Sequence, residues 1–345
     1  MMGMFEHGGD LYGLEGVVDF SASLNPLGTP VQIVRALKVA AADFERYPDP
    51  LCRDLTADLA SIEDVPAEHI VITAGATDAF MRIVASLRPH KALICTPCYS
   101  GYEQSLRQLH VRIVHHSLVA RENFDMTERI IDYIEPDVDM MFLCSPNNPT
   151  GRVIPRDLLC KILRAADRWG TWVVLDESYL DFTIEHSATS LLDRYPRLIV
   201  VKTFTKIYAM AGLRVGWVVC GTSAVADGLR EAGMPWIVST PAQVAARVAL
   251  DVPGYLDLTR EYVAAERDIL QRGLREAGML VVPSHANFIL FQSPMPLREP
   301  LLERGFAIRP CENFRGLDAS WFRIAVRTTN ENERLLAALH TVLRA

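Results

Sequence analysis

Short apolar runs recur from about residue 70 to residue 220. They cover Ile70–Thr73, Ala92–Cys95, Val111–His115, Met140–Cys144, Trp172–Leu175, Leu198–Val201 and Val215–Val219. Continuous apolar runs of this length, bounded by turn residues, read as strands buried on both faces. Helical patterns lie between them, over Ala79–Leu87, Gly101–Leu109, Thr127–Ile134 and Arg156–Trp169. Strand and helix in alternation predict an α/β fold: a mostly parallel, seven-stranded sheet with helices on both faces. In such sheets the ligand lies beyond the carboxyl ends of the strands.

The pattern changes on both sides of this region. The first forty residues are irregular and rich in Gly, Pro, Ser and Asn, with HGGD at 7–10 and VVDFSASLNPLGTP at 17–30. Pro30 then opens a predicted helix reaching about Ala42. After about residue 235 a long helical segment, Pro253 to Ala277, precedes apolar runs at Leu280–Val282, Phe288–Phe291, Ala307–Arg309 and Phe322–Val326. A helix from about Glu331 to Leu343 closes the chain. This part reads as a smaller α+β domain.

Composition narrows the classes. Half of the 345 residues are apolar and 22% are charged, enough for a large core and two domains. The net charge is −7 and no Lys/Arg-rich run occurs, so nothing favours nucleic acid or an acidic membrane surface as partner. The seven cysteines are irregularly spaced. The one Cys-x-x-Cys, Cys95 to Cys98, has no second pair, and free thiols are a better reading than a metal site. No apolar stretch is long enough for a membrane span, and the N-terminus lacks a secretory core. A cytoplasmic protein is expected.

The candidate chemistry centres on TFTKIYAMAGLRVGW at 203–217. Lys206 follows a buried strand among small and apolar neighbours, and lost solvation lowers a lysine's pKa. Such an amine forms a Schiff base with an aldehyde. Thr203, Thr205 and Arg214 suit a phosphate. Together they fit pyridoxal 5′-phosphate, although a strand followed by a loop of solvated basic residues has the same local pattern. Gly75, Ala76 and Thr77 turn from a strand into a helix, where exposed N–H groups bind phosphate. Tyr99 can stack on a ring or pack in the core. Asn148 sits in the rigid turn Ser145–Gly151. Asp176 ends an apolar strand, where a carboxylate needs a cation such as a protonated pyridine nitrogen, or caps a helix. Tyr179 follows three residues on.

These motifs, in this order, resemble the fold-type I pyridoxal-phosphate enzymes, the aspartate aminotransferase superfamily. The resemblance implies that Lys206 carries the cofactor covalently, and that Arg214 and the Gly75–Thr77 turn hold its phosphate. It implies that Asn148 and Tyr179 bind the phenolic oxygen, and that Asp176 keeps the ring nitrogen protonated so that the ring accepts electrons from Cα. Tyr47, in RYPDP, would reach the phosphate of a second subunit, which implies a homodimer with shared active sites. Arg323, in WFRIAVRT, matches the arginine that grips an anionic substrate group, and Arg327 lies further along. The fold pairs an N-terminal arm, 1–42, with the small domain, 235–345, around a large domain, 43–234.

Features beyond the superfamily pattern are the HGGD start, DFSASLNPLG at 19–28 with Asn25, Cys52-Arg53-Asp54-Leu55, and RPCENFRGLD at 309–318. These resemble the L-threonine-O-3-phosphate decarboxylases of cobalamin biosynthesis. That resemblance implies a small phosphorylated amino-acid substrate, its phosphate held by His7 and arginines of the small domain, with Asn25, Arg323 and Arg327 as further expected substrate-binding residues. The histidinol-phosphate aminotransferases share the cofactor motifs, and a non-catalytic cofactor-binding regulator shares the fold. One departure is Asp10, where the decarboxylases often have Asn.

Overall fold

The computed structural model describes residues 7–344. Its largest element is a seven-stranded sheet. After a two-residue strand β1 (Val18–Asp19), the sheet is built from β2 (Ile70–Thr73), β3 (Lys91–Thr96), β4 (Arg112–Ser117), β5 (Met140–Cys144), β6 (Trp172–Asp176), β7 (Leu198–Thr203) and β8 (Gly216–Cys220). The order is β2-β8-β7-β6-β5-β3-β4. Only β8 runs against its neighbours, β2 and β7. The expected strands are all present, most with ends shifted by one or two residues.

Alternate side chains of these strands enter two different apolar clusters, because successive side chains point to opposite faces. Leu93, Met141, Val173, Leu175 and Val200 pack on one face. Ile94, Met140, Phe142, Val174 and Ile199 pack on the other. All ten are essentially sealed from solvent, each side chain contributing about 1.5–3 kcal/mol by leaving water. Helices α1 (Val31–Ala40), α2 (Arg53–Glu63), α3 (Ala76–Leu87), α4 (Ser100–Gln108), α5 (Arg156–Trp169), α6 (Ser223–Glu231) and α7 (Thr240–Leu250) precede the long α8 (Tyr255–Glu276). The predicted helix at Thr127–Ile134 is instead a six-residue 3₁₀ helix, Glu128–Tyr133. Pro136 lies just beyond and biases Glu135 away from helical geometry.

A second, antiparallel sheet has the order β12-β13-β10-β9, from β9 (Leu280–Val281), β10 (Phe288–Gln292), β12 (Arg309–Pro310) and β13 (Trp321–Ala325). The remaining strand, β11 (Phe306–Ala307), pairs in parallel with β1. The single strand expected over Ala307–Arg309 is therefore two strands with different partners. Short α9 (Arg298–Leu302) precedes β11, and α10 (Thr329–Arg344) ends the described chain. The N-terminal segment is threaded into this part. Phe20 donates its N–H to Ala307 (2.8 Å) and accepts from Ala325 N–H (2.8 Å).

Asn25 differs from its expected role in substrate binding. It is buried and does not line the central cavity. Its backbone N–H donates to Lys206 O (3.1 Å). Its amide donates to Ile207 O (2.7 Å) and meets the hydroxyls of Tyr255 and Thr259 (2.9 Å each). With its donors consumed, Asn25 ties the N-terminal segment to the loop bearing Lys206 and to α8. Asn25→Ala strands these acceptors away from water and is expected to cost about 1–3 kcal/mol of stability. A shift in the urea midpoint without a change in slope checks this.

Candidate active site

A cavity of about 240 Å³ opens beyond the carboxyl ends of the central strands. Gly75 lies at one end of it. Its φ of +83° is open to glycine, and a Cβ there would stand 2.8 Å from Arg214 Nη2. Ala76 and Thr77 begin α3, and the first N–H groups of a helix have no partner within it. Asp78 shapes this turn: its carboxylate accepts from Ala74 N–H (2.9 Å) and pairs with Arg82 (2.9 Å). Thr203 and Thr205 bring their hydroxyls within 2.7 Å of each other across the turn that ends β7. Arg214 is steadied by a bond from Nη1 to Ala211 O (3.0 Å). Helix N–H groups, two hydroxyls and a guanidinium in one place form an anion cradle.

Lys206 and Asp176 line the same cavity. Burial, followed by the charges of Arg323 and Arg214, lowers the Lys206 pKa to about 8, against the opposing pull of Asp176. The Lys206 ammonium stands 5.8 Å from the centre of the Tyr179 ring. Asp176 ends β6, is 5% exposed and accepts two hydrogen bonds, from Ser178 N–H (2.9 Å) and from the Tyr102 hydroxyl (2.5 Å). Burial raises its pKa, and these bonds and Lys206 work against that rise. Asn148 accepts from Arg323 through Oδ1. Arginine cannot accept, so this contact fixes the amide and leaves its NH₂ as the donor for a ligand. Tyr99 also lines the cavity, its hydroxyl 3.3 Å from that of Thr77.

The opposite wall comes from the second sheet and the N-terminal segment. Arg323, on β13, donates to Ser21 O (2.9 Å). Its Nε is buried with no hydrogen-bond partner among the described residues. Arg309, on β12, donates to Pro310 O and Asn313 Oδ1 (2.8 Å each), and its guanidinium lies 5.4 Å from the Phe314 ring centre. His7 stands over Tyr99 with ring centres 5.6 Å apart. Its pKa is lowered by burial and then by Arg309, Arg323 and Lys206. The backbone that carries it is pinned: Gly9 N–H donates to Ser21 Oγ (2.8 Å), and a Cβ on Gly8 would lie 2.2 Å from Ser21 O.

His7, Ala76, Thr77, Tyr99, Asn148, Asp176, Tyr179, Thr203, Thr205, Lys206, Arg214 and Arg323 thus meet at one cavity, with Gly75 beside it. Arg327 does not join them. β13 ends at Ala325, and beyond it Arg327 turns to pair with Glu331 (2.9 Å) at the start of α10. Tyr47 is 83% exposed and leans on Trp236, away from the cavity. Sequence reasoning missed Arg309, Tyr102 and Ser178. Arg309 is one of two arginines in RPCENFRGLD with no local feature to mark it, and the Tyr102 contact spans 74 residues of chain.

The cavity matches the donor set that pyridoxal phosphate requires: a desolvated amine, an anion cradle, an amide donor and a buried carboxylate. With the fold, this defines a fold-type I pyridoxal-phosphate enzyme. The family model for aminotransferase class I and II matches residues 15–339, and the chain belongs to that family, whose cofactor is pyridoxal phosphate. It is 36% identical to the threonine-phosphate decarboxylase of Salmonella typhimurium over 333 residues, 95% of this chain and 91% of the relative. The structure of histidinol-phosphate aminotransferase from Clostridium acetobutylicum superposes with a TM-score of 0.88 at 27% identity, covering 94% and 98% of the two chains. That of L-threonine-O-3-phosphate decarboxylase from Porphyromonas gingivalis gives 0.83 at 27% identity, covering 94% and 99%. Among the described residues no helix is long and apolar enough to cross a membrane.

The free amine of Lys206 becomes the major form above its lowered pKa. In cofactor-free protein, the rate of covalent attachment of pyridoxal phosphate should rise with pH through about 8 and then level off. A stopped-flow absorbance series checks this; a rise continuing to the ordinary lysine range would mean that the amine is not desolvated in the protein.

Proposed function

We propose that this enzyme decarboxylates L-threonine O-3-phosphate to (R)-1-aminopropan-2-yl phosphate, the amine used for the cobalamin side chain. The observation that carries the reading is the excess of cations on the wall facing the cofactor cradle. Arg214 beside Gly75 serves one phosphate. Arg309 and Arg323 line the facing wall together with His7, whose ring stands against Tyr99. A substrate with both a carboxylate and a phosphate uses that second set fully.

In this reading Lys206 holds the cofactor, and Ala76, Thr77, Thr203, Thr205 and Arg214 hold its phosphate. Tyr99 stacks on the ring, while Asn148 and Tyr179 bind the phenolic oxygen. Asp176 balances the charge of a protonated ring nitrogen. Bound pyridoxal phosphate supplies an electron sink for the pair released at Cα. His7, Arg309 and Arg323 orient the substrate through its anionic groups, and that orientation selects the bond that breaks. Tyr47 serves a second copy of the chain. Its exposure, together with that of Trp236 and Met234 (74%), supports a homodimer that covers this face. We place the enzyme in the cytoplasm.

The likeness to a histidinol-phosphate aminotransferase structure favours a second reading, transamination of a phosphorylated amine. A panel of phosphorylated and plain amino acids separates the two. Decarboxylation releases CO₂ from phosphothreonine with no keto-acid acceptor present; CO₂-free turnover that requires an acceptor overturns the first reading. His7→Ala is expected to raise KM for the phosphorylated substrate roughly tenfold or more while slowing turnover less. An unchanged KM would remove His7 from the substrate site.

A further inference from the structure

Tyr102 lies outside the cavity, in the apolar cluster on one face of the central sheet. It is 1% exposed. Its ring stacks on Phe142 (centres 5.2 Å apart) and meets Phe80 edge to face (4.8 Å). Its edge also supports Tyr99 (5.6 Å). Packing of this kind would suit phenylalanine equally well. The hydroxyl is therefore the feature that needs a reason, since burying one without a partner is costly. It points at Asp176 Oδ2 from 2.5 Å.

The direction of that bond is set by chemistry. Burial, and then the charge of Asp176, push the Tyr102 phenol well above its ordinary pKa, so it keeps its proton and donates. Asp176 accepts, and its other oxygen is held by Ser178 N–H. A hydrogen bond donated to a charged carboxylate favours the ionised form, while burial disfavours it. With Asp176 only 5% exposed, the balance rests on few groups.

We propose that Tyr102 is a positioning residue that holds Asp176 ionised and aimed at the cofactor's ring nitrogen, so that its hydroxyl strengthens binding of a ring that can carry a proton there. The same side chain props the Tyr99 platform, so one residue of α4 sets both the height of the ring stack and the charge opposite it. This rests on the reading of Asp176 as the partner of the ring nitrogen, and the test separates the two.

Cofactor-free protein is titrated with pyridoxal 5′-phosphate and with its 1-deaza analogue, which has CH in place of the ring nitrogen. The ratio of the two dissociation constants isolates the nitrogen's contribution. Parent protein and Tyr102→Phe are compared; the substitution keeps the ring and its packing. We expect the parent to favour pyridoxal phosphate strongly and the variant to lose about tenfold of that preference, with affinity for the deaza analogue little changed. Thermal unfolding of both cofactor-free proteins reports packing separately. A parent ratio near one overturns the role given to Asp176. A large parent ratio that survives in the variant, or equal loss of affinity for both compounds, overturns the role given to Tyr102.

Discussion

The site depends on a lysine amine and an aspartate carboxylate held in one desolvated cavity without neutralising each other's purpose. In the proposed function Lys206 reacts with an aldehyde, which requires the amine free of its proton, and burial beside Arg323 and Arg214 drives it that way. In the proposed function Asp176 stays charged to face a cationic ring, and burial drives it the opposite way. The same loss of solvent thus helps one group and harms the other. The structure answers with hydrogen bonds on the carboxylate alone: two donors reach Asp176 from within the fold.

The sheet makes this possible. β5, β6 and β7 are adjacent and parallel, so Asn148, Asp176 and Thr203–Lys206 emerge at one edge. The antiparallel β8 closes the row, with Thr73 and Thr203 both opposite Gly216. The cradle around Gly75 and Arg214 therefore sits at the same edge as Lys206. Each strand fills two different clusters with alternate side chains, so a one-residue slip would put every side chain into the wrong cluster, and the register is fixed. That fixed register lets a few polar groups act as fixed partners rather than as solvent-like ones.

The facing wall is assembled differently. Ser21 stands at its centre, taking bonds from Arg323 and from the arm that carries His7. Arg323 in turn holds Asn148 and so turns an amide on the large sheet toward the ligand. In the proposed function, substrate anchors and cofactor contacts are thus mechanically joined. Two stretches distant in sequence, the N-terminal segment and residues 306–325, supply this wall: β1 pairs with β11, β12 with β13, and the arm is tied to Ser21.

Much of this was already present in the order of residues. Apolar runs bounded by turn residues marked every strand of the large sheet, because doubly buried strands admit few other patterns. Lys206, Asp176 and Asn148 stood out because each follows such a run, where a polar group is costly without a partner. The tertiary structure decided what local pattern could not carry. Asn25 looked like a ligand for substrate and is a clamp, since partners from α8 and from the loop after Lys206 use its donors. Arg327 shares the strand periodicity of Arg323, yet the strand stops two residues before it and its charge turns to Glu331. Arg309 takes its place from the pairing of β12 with β13, which sets it opposite Arg323, and Tyr102 from a contact across 74 residues of chain. Sequence spacing reports which face of its own element a side chain takes; which distant groups meet it there is settled by packing between elements.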